Sequence, residues 1–220
     1  MPTFADLNGI PIISGRITLP MFGIWHADVL LGEAIGIAGP QVLTLLGQPY
    51  ICFVVRAIDY SGARSVRVVG GLGGWRKKIS AKQYHSLVGV PGAIVLADAA
   101  AEAKEVPPVP SPFVPVTLGT DFVRTAGPAS LVLSQVCGTD GWWMDPKGVI
   151  QTFPRLPTPI VTPFTATAVR GAAGLFIIAT DFPIQWTPGV VFANGIVSGT
   201  VNRVTHVIEK DSFRTEVMGP

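Results

Sequence analysis

The sequence is short of charge. Of its 220 residues only 14% are Asp, Glu, Lys or Arg, against about 25% in an ordinary soluble domain. Hydrophobic residues make up 48%, and mean hydropathy is positive. A lone monomer of this composition would leave much apolar surface wet. The chain is therefore expected either in a membrane or with its surface covered by partners. Long hydrophobic runs are missing too. The most apolar stretch, Val29 to Leu46, contains Glu33, Pro40, Gln41 and three glycines, whereas a spanning helix needs about 20 mostly apolar residues in a row. The opening "MPTFADLNGI" has an acid and no cationic segment, so no secretory signal is expected, and an outer-membrane barrel would need one. The expectation is a chain without a membrane span that self-associates or sits in an assembly.

Cysteine is nearly absent. Cys52 and Cys137 are too few for a disulfide framework and read as small buried hydrophobes. Histidine is as scarce: His26, His85 and His206 lie in separate parts of the chain, without the clustered ligands of a zinc site. His26 has Asp28 two residues on, which places both on one face of a strand. A net charge of +2 is too small to indicate nucleic acid. No Gly-x-Ser-x-Gly elbow occurs, and nothing near Cys137 activates it toward His206. Carboxylates at Asp6, Glu33, Asp59, Asp98, Glu102, Asp121 and Asp140 could supply a glycosidase pair, as could those of almost any chain. No catalytic, cofactor-binding or metal-binding residue is nominated, and no cofactor is expected.

What the sequence does have is glycine, proline and strand patterning. "VVGGLGGWRKK", Val68 to Lys78, holds four glycines in five positions. A P-loop needs Gly-Lys-Ser/Thr after its glycines, and here Trp75 and Arg76 follow Gly74. A dinucleotide fingerprint starting at Gly71 and Gly73 needs glycine at position 76, which is Arg76. Both motifs require a helix directly after the loop, and "WRKKISAKQY" has no helical stripe. Gly70, Gly71, Gly73 and Gly74 are therefore expected to let a strand bend, by positive φ or close backbone approach, with Trp75 packed beneath. Arg76, Lys77 and Lys78 read as a solvated strand end.

Short strands with turn residues between them fill the first ninety residues, the pattern of a barrel or sandwich. They include Trp25–Leu30, Gln41–Leu45, Tyr50–Asp59 and Arg64–Val69. Pro91 to Glu105 is alanine-rich and stopped by Pro107-Pro108, which predicts a helix. "VPPVPSPFVPV", Val106 to Val116, is a stiff connector. A second helix is expected with Pro128 at its first position and Gly138 closing it. Trp142 to Ile150 reads as a hairpin, with Asp145, Pro146 and Gly148 in the places a type I turn favours. Because strand residues alternate faces, at least one of Trp142 and Trp143 is expected to point into the core. The other is a candidate glycan or interface aromatic. Trp25, Trp75 and Trp186 read as core or interface anchors. "PRLPTPIVTP", Pro154 to Pro163, is a second connector, and Val201–Ile208 with Phe213–Met218 forms a last hairpin.

The order of these features resembles that of the tail hub or baseplate hub proteins of tailed bacteriophages and related injection machines. The resembling stretches are Gly15–Leu31, Val66–Tyr84, Ile94–Glu105, Phe122–Ile150 and Val201–Met218. The resemblance implies a mainly β fold with a small α/β middle piece and two β-barrel modules. The modules would span 1–105, with a trailing helix, and 156–220. The piece at 106–155 would hold the connector, helix and hairpin. It also implies a homotrimeric ring in the virion, at the tail tip, assembled in the host cytoplasm. A tail tube or distal tail protein would lie above and a tip, spike or fibre protein below. The ring would join the sixfold tube to the threefold tip and let DNA pass, without enzymatic activity. The competing readings are a β-sandwich adhesin that stacks Trp142 or Trp143 on a host glycan, and a cell-wall hydrolase acting as the phage enters.

Overall fold

The computed structural model describes residues 4–60, 62–109, 117–170, 174–193 and 198–219. Ser61, between the expected strands Tyr50–Asp59 and Arg64–Val69, and most of the proline connector (110–116) lie outside them. The chain opens with six strands: β1 Ala5–Leu7, β2 Ile10–Pro20, β3 His26–Leu31, β4 Gly39–Leu45, β5 Gln48–Tyr60 and β6 Ala63–Gly70. Their order is β1-β4-β5-β6-β3-β2, and β1 also pairs with β2, so the six close into a barrel. Alternation decides what points inward. On β3, Ala27, Val29 and Leu31 are buried while His26 and Asp28 face water. Two bulges help the closure, since an extra residue bends a strand and raises its twist. One falls at Ile13 in β2, opposite Leu30 and Leu31. The other is at Val55 in β5, between the Val54–Val68 and Arg56–Arg67 rungs.

The middle piece covers one end of the barrel. A 3₁₀ turn, Gly74–Arg76, is followed by β7 Lys78–Ile79, β8 Lys82–His85 and α1 Gly92–Ala103. Then come β9 Asp121–Arg124, β10 Gly127–Pro128, α2 Ser130–Cys137, β11 Trp143–Met144 and β12 Ile150–Gln151. The first helix falls where the alanine-rich run predicts it. The second starts two residues later than expected. Pro128 sits in β10, opposite Lys78, and its ring nitrogen needs no ladder partner there. The Ala129 N–H then donates to the Lys77 carbonyl, 2.9 Å. The β11–β12 hairpin turns through Asp145–Gly148, with the Gly148 N–H 3.0 Å from the Asp145 carbonyl. It is sewn to the barrel at Gly23 and to β5 through Ile51 N–H and the Pro146 carbonyl, 2.8 Å.

The remaining strands are β13 Thr158–Pro159, β14 Thr165–Arg170, β15 Leu175–Ala179, β16 Val190–Ala193, β17 Ser198–Thr200, β18 Arg203–Glu209 and β19 Ser212–Met218. The second proline connector is partly recruited as strand, because β13 pairs in parallel with β16. β18 and β19 form the expected closing hairpin. β18 then pairs with β2 from Arg203↔Pro20 to Ile208↔Gly15. One ten-stranded sheet therefore runs β1-β4-β5-β6-β3-β2-β18-β19-β15-β14. Phe164, Phe176, Trp186 and Phe192 fill the C-terminal module, with ring centroids 5.0–6.2 Å apart. Trp25, Trp75 and Trp186 are all buried core residues. Among the described residues no helix is long and apolar enough to cross a membrane.

His206 lies inside this sheet, 1% exposed. Its Nδ1 is 3.1 Å from Thr215 Oγ1, and its ring stacks on Phe213. Burial pushes its pKa down to about 4. The folded protein thus keeps a neutral imidazole while the unfolded chain takes a proton near pH 6.5. Stability should be unaffected by this group above about pH 6.5 and fall as pH drops toward 4, by at most about tenfold in the folding constant per pH unit. Denaturant titrations at pH 7 and 5 should show this loss in the wild type and a smaller one in His206→Leu.

Candidate functional site

The glycine run binds an anion, and the anion belongs to the chain itself. β6 ends at Gly70, and Gly71 and Gly73 take φ of +79° and +80°, values that side chains other than glycine's rarely tolerate. The loop they make wraps the carboxylate of Glu105, which is 7% exposed just beyond α1. Leu72 N–H donates to Glu105 Oε2 at 3.1 Å, and the N–H groups of Gly74 and Trp75 donate to Oε1, the latter at 3.3 Å. By accepting from three amides, the one carboxylate satisfies donors that burial would otherwise strand. The geometry leaves no room for side chains. A Cβ on Gly70 would lie 2.5 Å from Trp25 Nε1 and Met144 Sδ, and one on Gly73 would lie 2.6 Å from the Phe53 ring. One on Gly74 would lie 2.1 Å from the Ala103 carbonyl oxygen. Trp75, directly after, is 1% exposed. The loop thus ties β6 to α1 and, through Met144, to the hairpin.

A second polar cluster holds the β8–β9 ribbon on α1. Arg124 is fully buried, bonds the Ser80 carbonyl through Nε and Nη2, and pairs with Asp98 and Glu102. Asp98 also binds Lys82 Nζ at 2.8 Å and the Tyr84 hydroxyl. Lys82 and Tyr84, the larger causes, hold the Asp98 carboxyl below its usual range. Neither Glu105 nor Arg124 stands out in the sequence. The i, i+4 spacing of Asp98 and Glu102 was the available signal, since it puts both acids on one face of a helix.

The candidate aromatics are mostly covered. Trp142 is 7% exposed and its Nε1 donates to Ser134 Oγ, 3.2 Å. Trp143 carries the Arg155 guanidinium 3.8 Å over its ring, meets Phe153 edge-on, and donates to the Phe153 carbonyl. Most of the Trp142 surface and one face of the Trp143 ring are thus covered. Cys52 is buried and Cys137 half-buried, and both are free. Burial pushes their thiols up to about 12 and about 11, away from reactive thiolate. His85 pairs with Asp121 at 2.8 Å in the open, and Arg76, Lys77 and Lys78 are exposed. No group of three or more metal-ligating side chains occurs among the described residues.

With this architecture in hand, the comparisons with known proteins are specific about fold. No protein-family model matches the chain, and no curated protein matches it in sequence. Solved structures do match. The Escherichia coli c3393 protein superposes with a TM-score of 0.70 at 9% identity, over 97% of this chain and 75% of its own. It is described as a component of the type VI secretion system with structural similarity to the bacteriophage T4 tail proteins gp27 and gp5. A tail protein from Neisseria meningitidis gives 0.63 at 11% identity, over 98% of this chain and 95% of its own. The tail protein of prophage MuSo2 from Shewanella oneidensis gives 0.63 at 8%, with the same coverage. The chain is mainly β, with a closed six-stranded barrel and two helices, and its fold matches those of two tail proteins and a tail-like secretion component.

Glu105→Ala should destabilise the fold by about 3 kcal/mol or more in urea unfolding, because it strands three amides on a charge-assisted site. Glu105→Gln, which keeps an acceptor oxygen, should cost clearly less. Equal losses in the two variants would contradict the carboxylate's role.

Proposed function

We propose that the chain is a structural protein of a phage tail or a related injection machine, the hub subunit of the tail tip. The observation that carries this reading is the fold, shared over 97–98% of the chain with two tail proteins and with a type VI secretion component that is itself similar to phage tail proteins. Three copies form a ring. In each copy the N-terminal barrel (1–105) and the C-terminal module (156–220) provide two halves, so that three chains offer six places to a sixfold tail tube and three to the tip. The tube or distal tail protein lies on one side, the tip, spike or fibre protein on the other, and DNA crosses the centre. The protein works in the virion after assembly in the host cytoplasm, and its function resides in interfaces rather than in catalysis.

Composition and architecture support this reading. A charge content of 14% suits a subunit whose surface is largely covered, since permanent interfaces are more apolar than ordinary surface. The single sheet that joins the two modules suits a part that transmits force. Light scattering over a dilution series should give a species near three times the 23.2 kDa chain mass. A monomer at every concentration would contradict self-assembly of the free chain.

A further inference from the structure

A cavity of about 450 Å³ opens where β3 and β6 meet the 3₁₀ turn and the start of α2. His26, Arg67 and Arg76 stand on its wall, and Ile24, Val69 and Trp142 make its floor. Arg67 is held in a fork by Asp28, through Nε at 2.6 Å and Nη2 at 2.9 Å, which offsets one charge. Arg76 makes no ion pair among the described residues. Burial lowers the His26 pKa; Asp28 opposes this, and Arg67 and Arg203 add to it. A bare inorganic ion would leave the apolar floor wet. An apolar group would bury the Arg76 guanidinium without a partner. The cavity suits a carboxylate beside an aromatic ring, the pairing that arginine and aromatic walls recognise.

The chain carries that pairing on its own surface. Asp181 and Phe182 are consecutive and exposed, at the start of the 3₁₀ turn Pro183–Gln185. Phe182 is 49% exposed, the one aromatic among the exposed large hydrophobics of the described residues. Asp181, like Arg76, makes no ion pair there. The two features cannot meet within one copy. β15, which leads to Asp181, and β3, which carries His26, are separated in the sheet by β19, β18 and β2, roughly 19 Å at strand spacing. For this pair to fill the cavity a second copy has to supply it, and two different patches make a head-to-tail contact, the kind that can close a ring.

We infer that Asp181 and Phe182 of one copy dock in the His26–Arg67–Arg76 cavity of the next. The Asp181 carboxylate accepts from the Arg76 guanidinium, and the Phe182 ring covers Ile24, Val69 and Trp142. This contact rests on the ring reading and gives it a specific interface, with an aromatic and an arginine at its centre as binding hot spots commonly have.

Sedimentation velocity on the 220-residue chain over a dilution series tests it, with the variants Arg76→Glu, Asp181→Arg, Phe182→Ala and the double reversal Arg76→Glu/Asp181→Arg. All three positions of change are exposed, and unchanged thermal melts check the fold. Each single variant should raise the concentration of half-dissociation at least tenfold. The double reversal should return it to within about threefold of wild type, because the pair is restored with its signs exchanged. A wild type that assembles while the single variants assemble equally well overturns this contact and leaves the ring standing. So does a double reversal no better than its parents. A wild type that stays monomeric overturns the contact together with self-assembly.

Discussion

The whole architecture depends on β2 being shared. Its first residues, Ile10 and Pro11, pair with β1 and close the barrel, and the same edge from Gly15 to Pro20 pairs with β18. The bulge at Ile13 lies between these two uses. Its effect on the side chains is visible: Ile12 is buried before it, Ile13 is exposed, and Ile17 and Leu19 are buried after it. Inward-pointing positions thus change parity at the place where the strand passes from one partner to the other. Val204 and Val217 on β18 and β19 are buried beyond the seam, so the apolar layer is continuous from barrel to C-terminal module.

The second constraint is the Glu105 carboxylate. A glycine loop with its amides turned inward is a ready anion site, and the fold closes it with its own acid rather than a nucleotide. That choice connects distant pieces of chain. The carboxylate follows α1, the loop follows β6, and Met144 of the hairpin fills the space that glycine leaves at 70 and 71. The barrel end is thereby covered by the middle piece, and the cationic cavity forms beside that cover, between Arg76 of the loop and Arg67 of β6.

Local elements were largely legible in the sequence. Alternation marked β3, β5 and β6, the Asp-Pro-x-Gly turn marked the β11–β12 hairpin, and alanine content with a proline stop marked α1. These signals are carried by residues a few positions apart. What the sequence concealed was long-range pairing. Nothing in Gly15–Pro20 or Arg203–Ile208 names the other as partner, because both read as half-buried strand with apolar and polar residues in turn. Pro128 misled because a proline before a helical run ordinarily begins the helix, and here it ends a two-residue strand with Lys78 instead. Glu105 was hidden for a similar reason. A single acid after an alanine-rich helix looks solvated until the loop from β6 is folded around it. The absence of a recognisable phosphate motif was legible; the anion that replaces the phosphate was not.

The claim that most needs testing is that the seam makes barrel and C-terminal module one cooperative body. Native-state hydrogen exchange on β2 and β18 measures this directly. The account predicts that amides of Ile17, Leu19, Val204 and His206 exchange only through global unfolding, with the same denaturant dependence as amides in β3 and β6. Exchange of β18 and β19 through a separate, less costly opening, while the barrel amides stay protected, would contradict it.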